Sequence, residues 1–432
     1  MGRVSFHTLG CKLNFAETSS LRRQFELHGF ETVGQKDICD ISVINTCSVT
    51  AEADRKCRQI IRRAHRLNPD AFIIVTGCYA QLRPNEVAAI KGVNAVLGNS
   101  EKAHIFDLLE DFSPKVSTQV NVSCTGSTTS FDPALLSDDR TRAFLKVQDG
   151  CDYSCSFCTI PMARGKSRSA PADQIIDQAR QLAERGVKEI VLTGVNIGLY
   201  GQGSLDHPTK LNLLQLLQRL AQVDGILRYR ISSIEPNLLT DEIIDFVADT
   251  PVMVPHFHVP LQSGENSVLG AMRRRYRREV YQQRLEYIHT RMPDAGIGAD
   301  VIVGFPAETA DHFTETRTFL ANLPVTYLHV FTYSERPDTA AVNRYEQRST
   351  ASASERSSRN QTLRELSRRK QAVFQERFRG QIRPVLWERN TWSGRMQGYT
   401  DNYIRVSGPF DDRRVGLVEH VRLGTENTAF VS

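Results

Sequence analysis

The chain has 432 residues, enough for about three domains, and its 40% hydrophobic and 24% charged content is that of a folded protein, neither disordered nor collagenous. No apolar run reaches the roughly 18 residues of a spanning helix. The opening MGRVSFHTLG lacks a basic start followed by an apolar core, so no membrane segment and no secretory signal are expected, and the location expected is cytoplasmic. A formal net charge of +5 is too mild to name a partner.

Residues 1–110 alternate strand and helix patterns. Apolar runs at 4–8, 41–45 and 71–76 predict buried strands. A helix is expected from about Glu17 to His28, stopping at Gly29, and another from an N-cap at Thr50 to just before Asn68-Pro69. Strand, helix, strand implies parallel pairing, hence a small α/β parallel-sheet domain. Residues 111–138, rich in Ser and Thr with Pro and Gly, are expected to be a linker. Within 139–341, strand-like runs are centred near Leu145, Val191, Tyr229, Phe257, Val301 and His329. Helical stretches start near Pro171, Leu211, Thr240, Glu279 and Glu308. Six βα-type units predict a partial (βα)6 TIM-type barrel, with a doubly wound open sheet as the alternative that periodicity leaves open. Residues 342–379 form a basic helical connector, ten Lys or Arg against four acidic residues, with Leu363, Leu366, Val373, Phe374 and Phe378 at helical spacing. Residues 380–432 turn to five short β runs, at 382–387, 396–399, 403–406, 415–421 and 428–431, the size of a small β-barrel.

Nine cysteines, an odd number with no export signal, point to metal or redox chemistry rather than a disulfide framework. Cys151, Cys155 and Cys158 form C-x3-C-x2-C just after the first barrel strand, on a loop at the carboxyl mouth where barrel active sites lie. Three thiolates there can hold three irons of a 4Fe–4S cluster, leaving the fourth open to the amino and carboxylate groups of a methionine-type ligand. A zinc site needs a fourth ligand, and none is near in sequence. Cys11, Cys47 and Cys78 each follow the carboxyl end of a predicted parallel strand, so they are expected to converge on one sheet edge as a second metal set; three ordinary loop thiols are the alternative. Cys57 falls with Ala53, Ile60, Ile61 and Ala64 on one helix face, and it, Cys39 and Cys124 are expected to bind no metal.

Cys-x3-Cys-x2-Cys with Phe157 before the last cysteine resembles the radical S-adenosylmethionine (SAM) enzymes. The extension Thr159-Ile160-Pro161-Met162-Ala163-Arg164-Gly165, on to Arg168-Ser169, resembles their methylthiotransferase branch. So does the trio Cys11, Cys47, Cys78, which in that family holds an auxiliary 4Fe–4S cluster, and a terminal RNA-binding TRAM-like β-barrel. The opening Thr8-Leu9-Gly10-Cys11-Lys12-Leu13-Asn14 is most similar to the MtaB type, which modifies N6-threonylcarbamoyladenosine at tRNA position 37. The MiaB type acts on isopentenyladenosine and the RimO type on an aspartate of ribosomal protein S12.

The resemblance implies two 4Fe–4S clusters and SAM as cofactors, with Cys151, Cys155 and Cys158 holding the cluster that cleaves SAM. It implies SAM contacts from Thr193, Gly194 and Asn196 after the second strand, Ser232 and Glu235 after the third, Gln262 after the fourth, and Ile302 and Gly304 at the fifth. In the implied reaction a 5′-deoxyadenosyl radical removes hydrogen from C2 of the modified adenine, and the auxiliary cluster delivers methylthio there. A tRNA anticodon loop and a reductant such as flavodoxin or ferredoxin are the implied partners. The connector 342–379 and the run Arg273–Arg278 are expected to pair with phosphates. Trp387, Trp392, Tyr399 and Tyr403 are candidates for base stacking, though at strand spacing some must be core. A non-catalytic iron–sulfur protein that binds RNA or carries electrons is the reading of a different class, and it leaves the open-iron spacing unexplained.

Overall fold

The computed structural model describes residues 2–109, 111–113, 117–127, 131–132, 134–136, 141–202, 211–345, 351–392 and 394–431. Its first layer is a sheet of six parallel strands in the order Glu31–Val33, Arg3–Thr8, Ile41–Thr46, Phe72–Gly77, Val93–Leu97, Gln119–Asn121. The strands read as unbroken apolar runs because both faces are covered. Val4, Phe6, Val43 and Ile74 pack on Leu21 and Phe25 of one helix, while Ile44, Ile73 and Val75 pack on Cys57, Ile61 and Ala64 of another. The second helix, Ala51–Leu67, starts where expected, with the Thr50 hydroxyl accepting from Ala53 N. The first runs Lys12–Leu27, five residues earlier than its apolar pattern suggested. The pattern misled because Asn14 and Glu17 are polar yet buried: Asn14 Nδ2 bonds the Leu9 and Thr46 carbonyls at 2.7 and 3.0 Å.

The segment 111–138 is more than a linker. Gln119–Asn121 adds the sixth strand of the first sheet, and Leu135–Leu136 pairs antiparallel with the first barrel strand. An edge strand needs backbone pairing rather than apolar side chains, so composition did not reveal either. Residues 114–116, 128–130, 133 and 137–138 of that segment lie outside the described residues.

Six further parallel strands follow in chain order: Arg142–Lys146, Glu189–Thr193, Arg228–Ile231, His256–His258, Gly296–Val303 and Tyr327–Thr332. Bridges Tyr229↔Met253 and Ser233↔His258 join the first three to the last three. Leu145, Ile190, Leu192, Tyr229, Phe257, Val301 and Leu328 share one core with the helices Ala172–Glu184, Leu213–Leu220, Asp241–Asp249 and Arg278–Arg291. Alternation turns the other side chains, among them Arg142, Phe144, Glu189, Val191, Arg230, His258 and Asp300, toward a lumen. A doubly wound sheet would bury both sets under helices; here one set is polar and faces inward, so the unit is the partial (βα)6 barrel.

The helix Ala353–Glu376, opened by a Ser352–Glu355 capping box, leans on the last barrel strand through Leu363 and Leu366. Its end carries Phe374 into the core of a five-stranded antiparallel sheet of small-barrel type, together with Phe378, Trp387, Met396 and Val406. That sheet closes the amino end of the central barrel. Arg228 bonds the Pro384 and Tyr399 carbonyls at 2.7 and 3.2 Å, and Arg142 meets Glu388 at 2.8 Å.

Candidate active site

Two residues past the first barrel strand stands Gln148, which is fully buried and organises the cysteine loop. Its Nε2 donates to the Asp149 and Gly150 carbonyls at 2.9 and 2.7 Å, and its Oε1 accepts from Asn196 N at 2.9 Å. Gly150 turns the chain into the loop at φ +68°, where a Cβ would stand 2.0 Å from the Lys166 carbonyl oxygen. Only glycine fits there. Each of the three sulfurs then accepts an N–H: Cys151 from Tyr153 N at 3.4 Å, Cys158 from Ile160 N at 3.4 Å, and Cys155 from Arg274 Nη1 at 3.1 Å. Burial pushes the Cys151 thiol up to about 11 and the Cys158 thiol to about 12, and it raises Cys155 as well against the pull of Arg274. Three desolvated thiols gathered on one loop favour a cation as partner, and N–H···S bonds suit a cluster ligand set.

The residues expected to contact SAM gather at this carboxyl end. Thr193 closes its strand, its hydroxyl bonded to the Leu145 carbonyl at 3.2 Å, and Gly194 leads to Asn196. The Asn196 amide reaches the Cys151 sulfur, while its Oδ1 and the Ser232 Oγ are buried without a hydrogen-bond partner. Orphaned buried polar atoms are costly in a folded chain, so these fit a polar ligand. Gln262 adopts φ +69°, and its backbone pairs with Asp300 and Ile302. Ile302 packs with Phe157 of the cysteine loop, and Gly304 N donates to Glu308 Oε1 at 2.8 Å. The Glu235 carboxylate is ion-paired with Arg274, which also bonds Cys155.

The second cysteine set sits at the carboxyl edge of the first sheet. Cys11, Cys47 and Cys78 follow three adjacent parallel strands. A Cβ at Gly10 would lie 3.0 Å from Cys47 Sγ, and charges on the three thiols oppose one another, so they are close neighbours. Burial lifts the Cys47 thiol to about 12, whereas Cys11 is exposed at the edge, with the Arg164 guanidinium beside it. Cys57 is core, donating to the Cys47 carbonyl at 3.4 Å; Cys39 is buried and Cys124 exposed. Arg164 joins the two sites. Its Nη2 bonds Asn14 Oδ1 at 2.8 Å, one turn from Cys11, while the next residue, Gly165, accepts from Cys151 N at 3.1 Å.

Sequence reasoning missed several of these residues. Gln148 directly follows an apolar strand run, and its polarity there was the available signal. Arg274 lay inside a run read as phosphate-binding, but its side chain is 4% exposed. In the same run Arg275 stacks on Tyr153 at 4.0 Å and Arg278 meets Glu315, so most of it serves the protein itself. In the connector Arg359 pairs with Glu308 and Arg356 with Glu335, while Arg364, Arg368 and Arg369 stay exposed. The base-stacking candidates turn inward: Trp387 is fully buried, Tyr399 lies under Arg142 at 4.4 Å, and Tyr403 lies 4.3 Å from the His256 ring. The side chain of Trp392 lies outside the described residues.

Comparison with known proteins agrees with this layout. The models of Uncharacterized protein family UPF0004 and the Radical SAM superfamily match residues 3–98 and 145–320. The chain is 39% identical to the threonylcarbamoyladenosine tRNA methylthiotransferase MtaB of Bacillus subtilis, over 98% of this chain and 94% of that one. It is 38% identical to MtaB of Aquifex aeolicus, over 94% and 96% of the two chains. It is 30% identical to the tRNA-2-methylthio-N(6)-dimethylallyladenosine synthase of Aliarcobacter butzleri, over 98% and 96%. Its fold is like that of the radical SAM methyltransferase TsrM of Kitasatospora setae with cobalamin and a 4Fe–4S cluster bound: TM-score 0.54 and 16% identity, covering 80% of this chain and 78% of that one. Among the described residues no helix is long and apolar enough to cross a membrane. Similar to such relatives along nearly all its length, the chain belongs to the radical SAM methylthiotransferase family.

Proposed function

We propose that this protein attaches a methylthio group to C2 of N6-threonylcarbamoyladenosine at position 37 in the tRNA anticodon loop, with SAM, two 4Fe–4S clusters and a reduced flavodoxin or ferredoxin, in the cytoplasm. The observation that carries the reading is the pair of three-cysteine sets, linked through Arg164 and Gly165, in a chain 39% identical to a full-length MtaB. Cys151, Cys155 and Cys158 would hold the cluster that meets SAM, and Cys11, Cys47 and Cys78 the auxiliary one. When bound, these groups supply hydrogen-atom abstraction and sulfur transfer, chemistry that side chains cannot perform. The protein's own part is to position and to dry the site. Gln148 and Gly150 set the cysteine loop, and Arg274 bonds Cys155. Asn196 and Ser232 offer unpaired polar atoms to SAM, and Thr193, Gly194, Gln262, Ile302 and Gly304 frame it. Glu235, ion-paired with Arg274, completes the frame from the third strand. The exposed Arg364, Arg368 and Arg369 can meet tRNA phosphates, and the terminal TRAM-like barrel braces the helix that carries them.

Nucleoside mass spectrometry of tRNA from a deletion strain tests the reading. Threonylcarbamoyladenosine should lose its 2-methylthio group while isopentenyladenosine keeps it. The 30% identical dimethylallyladenosine synthase gives the competing outcome: loss on isopentenyladenosine alone would overturn the substrate. Unchanged tRNA with an unmodified ribosomal-protein aspartate would move it to the third substrate class.

A further inference from the structure

Lys12 opens the helix Lys12–Leu27 directly after Cys11. Residues 12, 15 and 16 share a helix face. On that face Phe15 and Ala16 pack against Phe144 and Val191, lumen positions of the first two barrel strands. Lys12 therefore enters the lumen too. The charged groups nearest it are Tyr403, Arg142, Arg230 and Glu189, at the amino end of the barrel where the terminal domain forms a floor.

The carboxylates of that floor are already engaged. Glu189 is held by Arg230 at 2.8 Å and Arg228 at 3.6 Å, Glu388 by Arg142 at 2.8 Å, and Asp401 by Arg383 at 2.9 Å. Lys12 makes no hydrogen bond or salt bridge to any described residue. Tyr403, at φ +71°, is pressed between His256 and the Arg230 guanidinium, 5.0 Å from its ring. His256 Nδ1 beside it is buried without a partner. Lys12, Arg142 and Arg230 gather around the Tyr403 side chain, and Arg142 bonds its hydroxyl. A cluster of cations in a lumen whose carboxylates are already engaged favours an incoming anion.

We propose that Lys12 and the Tyr403 hydroxyl form a carboxylate-binding site on the lumen floor, which takes the threonyl carboxylate carried by the substrate base. The inference rests on the function proposed above. Two carboxylates enter this lumen, that of SAM and that of the base. SAM's belongs at the opposite, carboxyl end of the strands, beside Cys151, which leaves the floor to the base. Lys12 adjoins Cys11, so a base whose C2 faces the auxiliary set has its N6 substituent within reach of the ammonium.

Binding of synthetic anticodon stem-loops to the anaerobically reconstituted protein tests the site. The stem-loops carry threonylcarbamoyladenosine, its carboxyl methyl ester, isopentenyladenosine or adenosine. The wild-type protein should prefer the free acid to the ester and to adenosine. Lys12→Gln should weaken binding of the free acid about tenfold, the scale of one charge-assisted hydrogen bond, and leave the other three unchanged. Lys12→Arg should keep the preference, and Tyr403→Phe should lose part of it. Iron content equal to wild type shows that the neighbouring cluster survives. Equal binding of acid and ester by the wild-type protein would overturn the site without relying on any variant. A weaker SAM affinity in Lys12→Gln, with stem-loop binding intact, would assign Lys12 to SAM instead. If the wild-type protein methylthiolates only isopentenyladenosine, the proposed function fails; if it acts on threonylcarbamoyladenosine yet Lys12→Gln still prefers the acid, only this site fails.

Discussion

Arg274 shows how a single side chain takes its meaning from its neighbours: one guanidinium is divided between Glu235 and the Cys155 sulfur, and both would be left uncompensated without it. At this scale the cysteines separate by consequence. Cys151→Ala should lower the iron content by about four per chain and end SAM cleavage, measured as 5′-deoxyadenosine release. Cys11→Ala should keep SAM cleavage and end methylthiolation; retained methylthiolation would remove Cys11 from the auxiliary set. Asn196 and Ser232 carry buried polar atoms with no partner, so alanine at either should raise the Kd for SAM about fivefold, near 1 kcal/mol per lost hydrogen bond. Thermal unfolding of the SAM-free protein should be unchanged or slightly improved by the same substitutions.

At the scale of elements, backbone geometry brings the cysteines to their edges. Gly77 ends its strand at φ +94°, and a Cβ there would stand 2.4 Å from the Thr46 carbonyl oxygen. Gly77→Ala should therefore cost at least about 1–2 kcal/mol of stability and cut iron loading at Cys47 and Cys78, while Cys151-dependent SAM cleavage persists. Glu189 starts the second barrel strand beneath Arg230, Arg142 and Arg228. Despite its burial, these cations hold its carboxyl near 2 rather than 4.5. A depressed carboxylate stabilises fully above its ordinary pKa and loses that contribution as pH falls toward 2. Glu189→Gln should thus be destabilised by about 3–5 kcal/mol near neutral pH, by leaving arginines unpaired, and its stability should fall less steeply on acidification than that of the wild type. Denaturant titrations of both proteins at several pH values measure the difference.

For the whole molecule, the contact between the first domain and the barrel combines a small apolar patch with a buried ionic cluster. Glu17 and Asp149 are surrounded by Lys102, Lys146, Arg164 and Arg168, with no side chain more than 8% exposed. Although burial opposes it, Arg164, Lys102 and Lys146 hold the Glu17 carboxyl well below the usual range. Such a cluster holds one arrangement of the domains, because a shift strands buried charge. Arg164→Met should cost about 3–5 kcal/mol and loosen the docking of the two domains, seen as faster proteolysis within residues 111–138. Unaltered proteolysis would show that packing of Phe15 and Ala16 on Phe144 is sufficient.

The sequence by itself determined the C-x3-C-x2-C loop, the parallel strands leading to Cys11, Cys47 and Cys78, the six barrel strands and the five terminal ones. Each of these is written in local spacing, where hydrophobic periodicity and turn residues act within a few positions. It also placed Asn196 and Ser232 correctly at strand ends, since residues after parallel strands must share an edge. The tertiary structure alone decided that a barrel and not an open sheet forms, that residues 119–121 join the first sheet, and that Tyr399 and Tyr403 face the barrel. It alone paired Arg274 with Cys155, Arg164 with Glu17 and Lys12 with the lumen floor. Those partners stand more than a hundred residues apart, so no local pattern records them; only packing brings such charges together, and burial then makes their pairing matter.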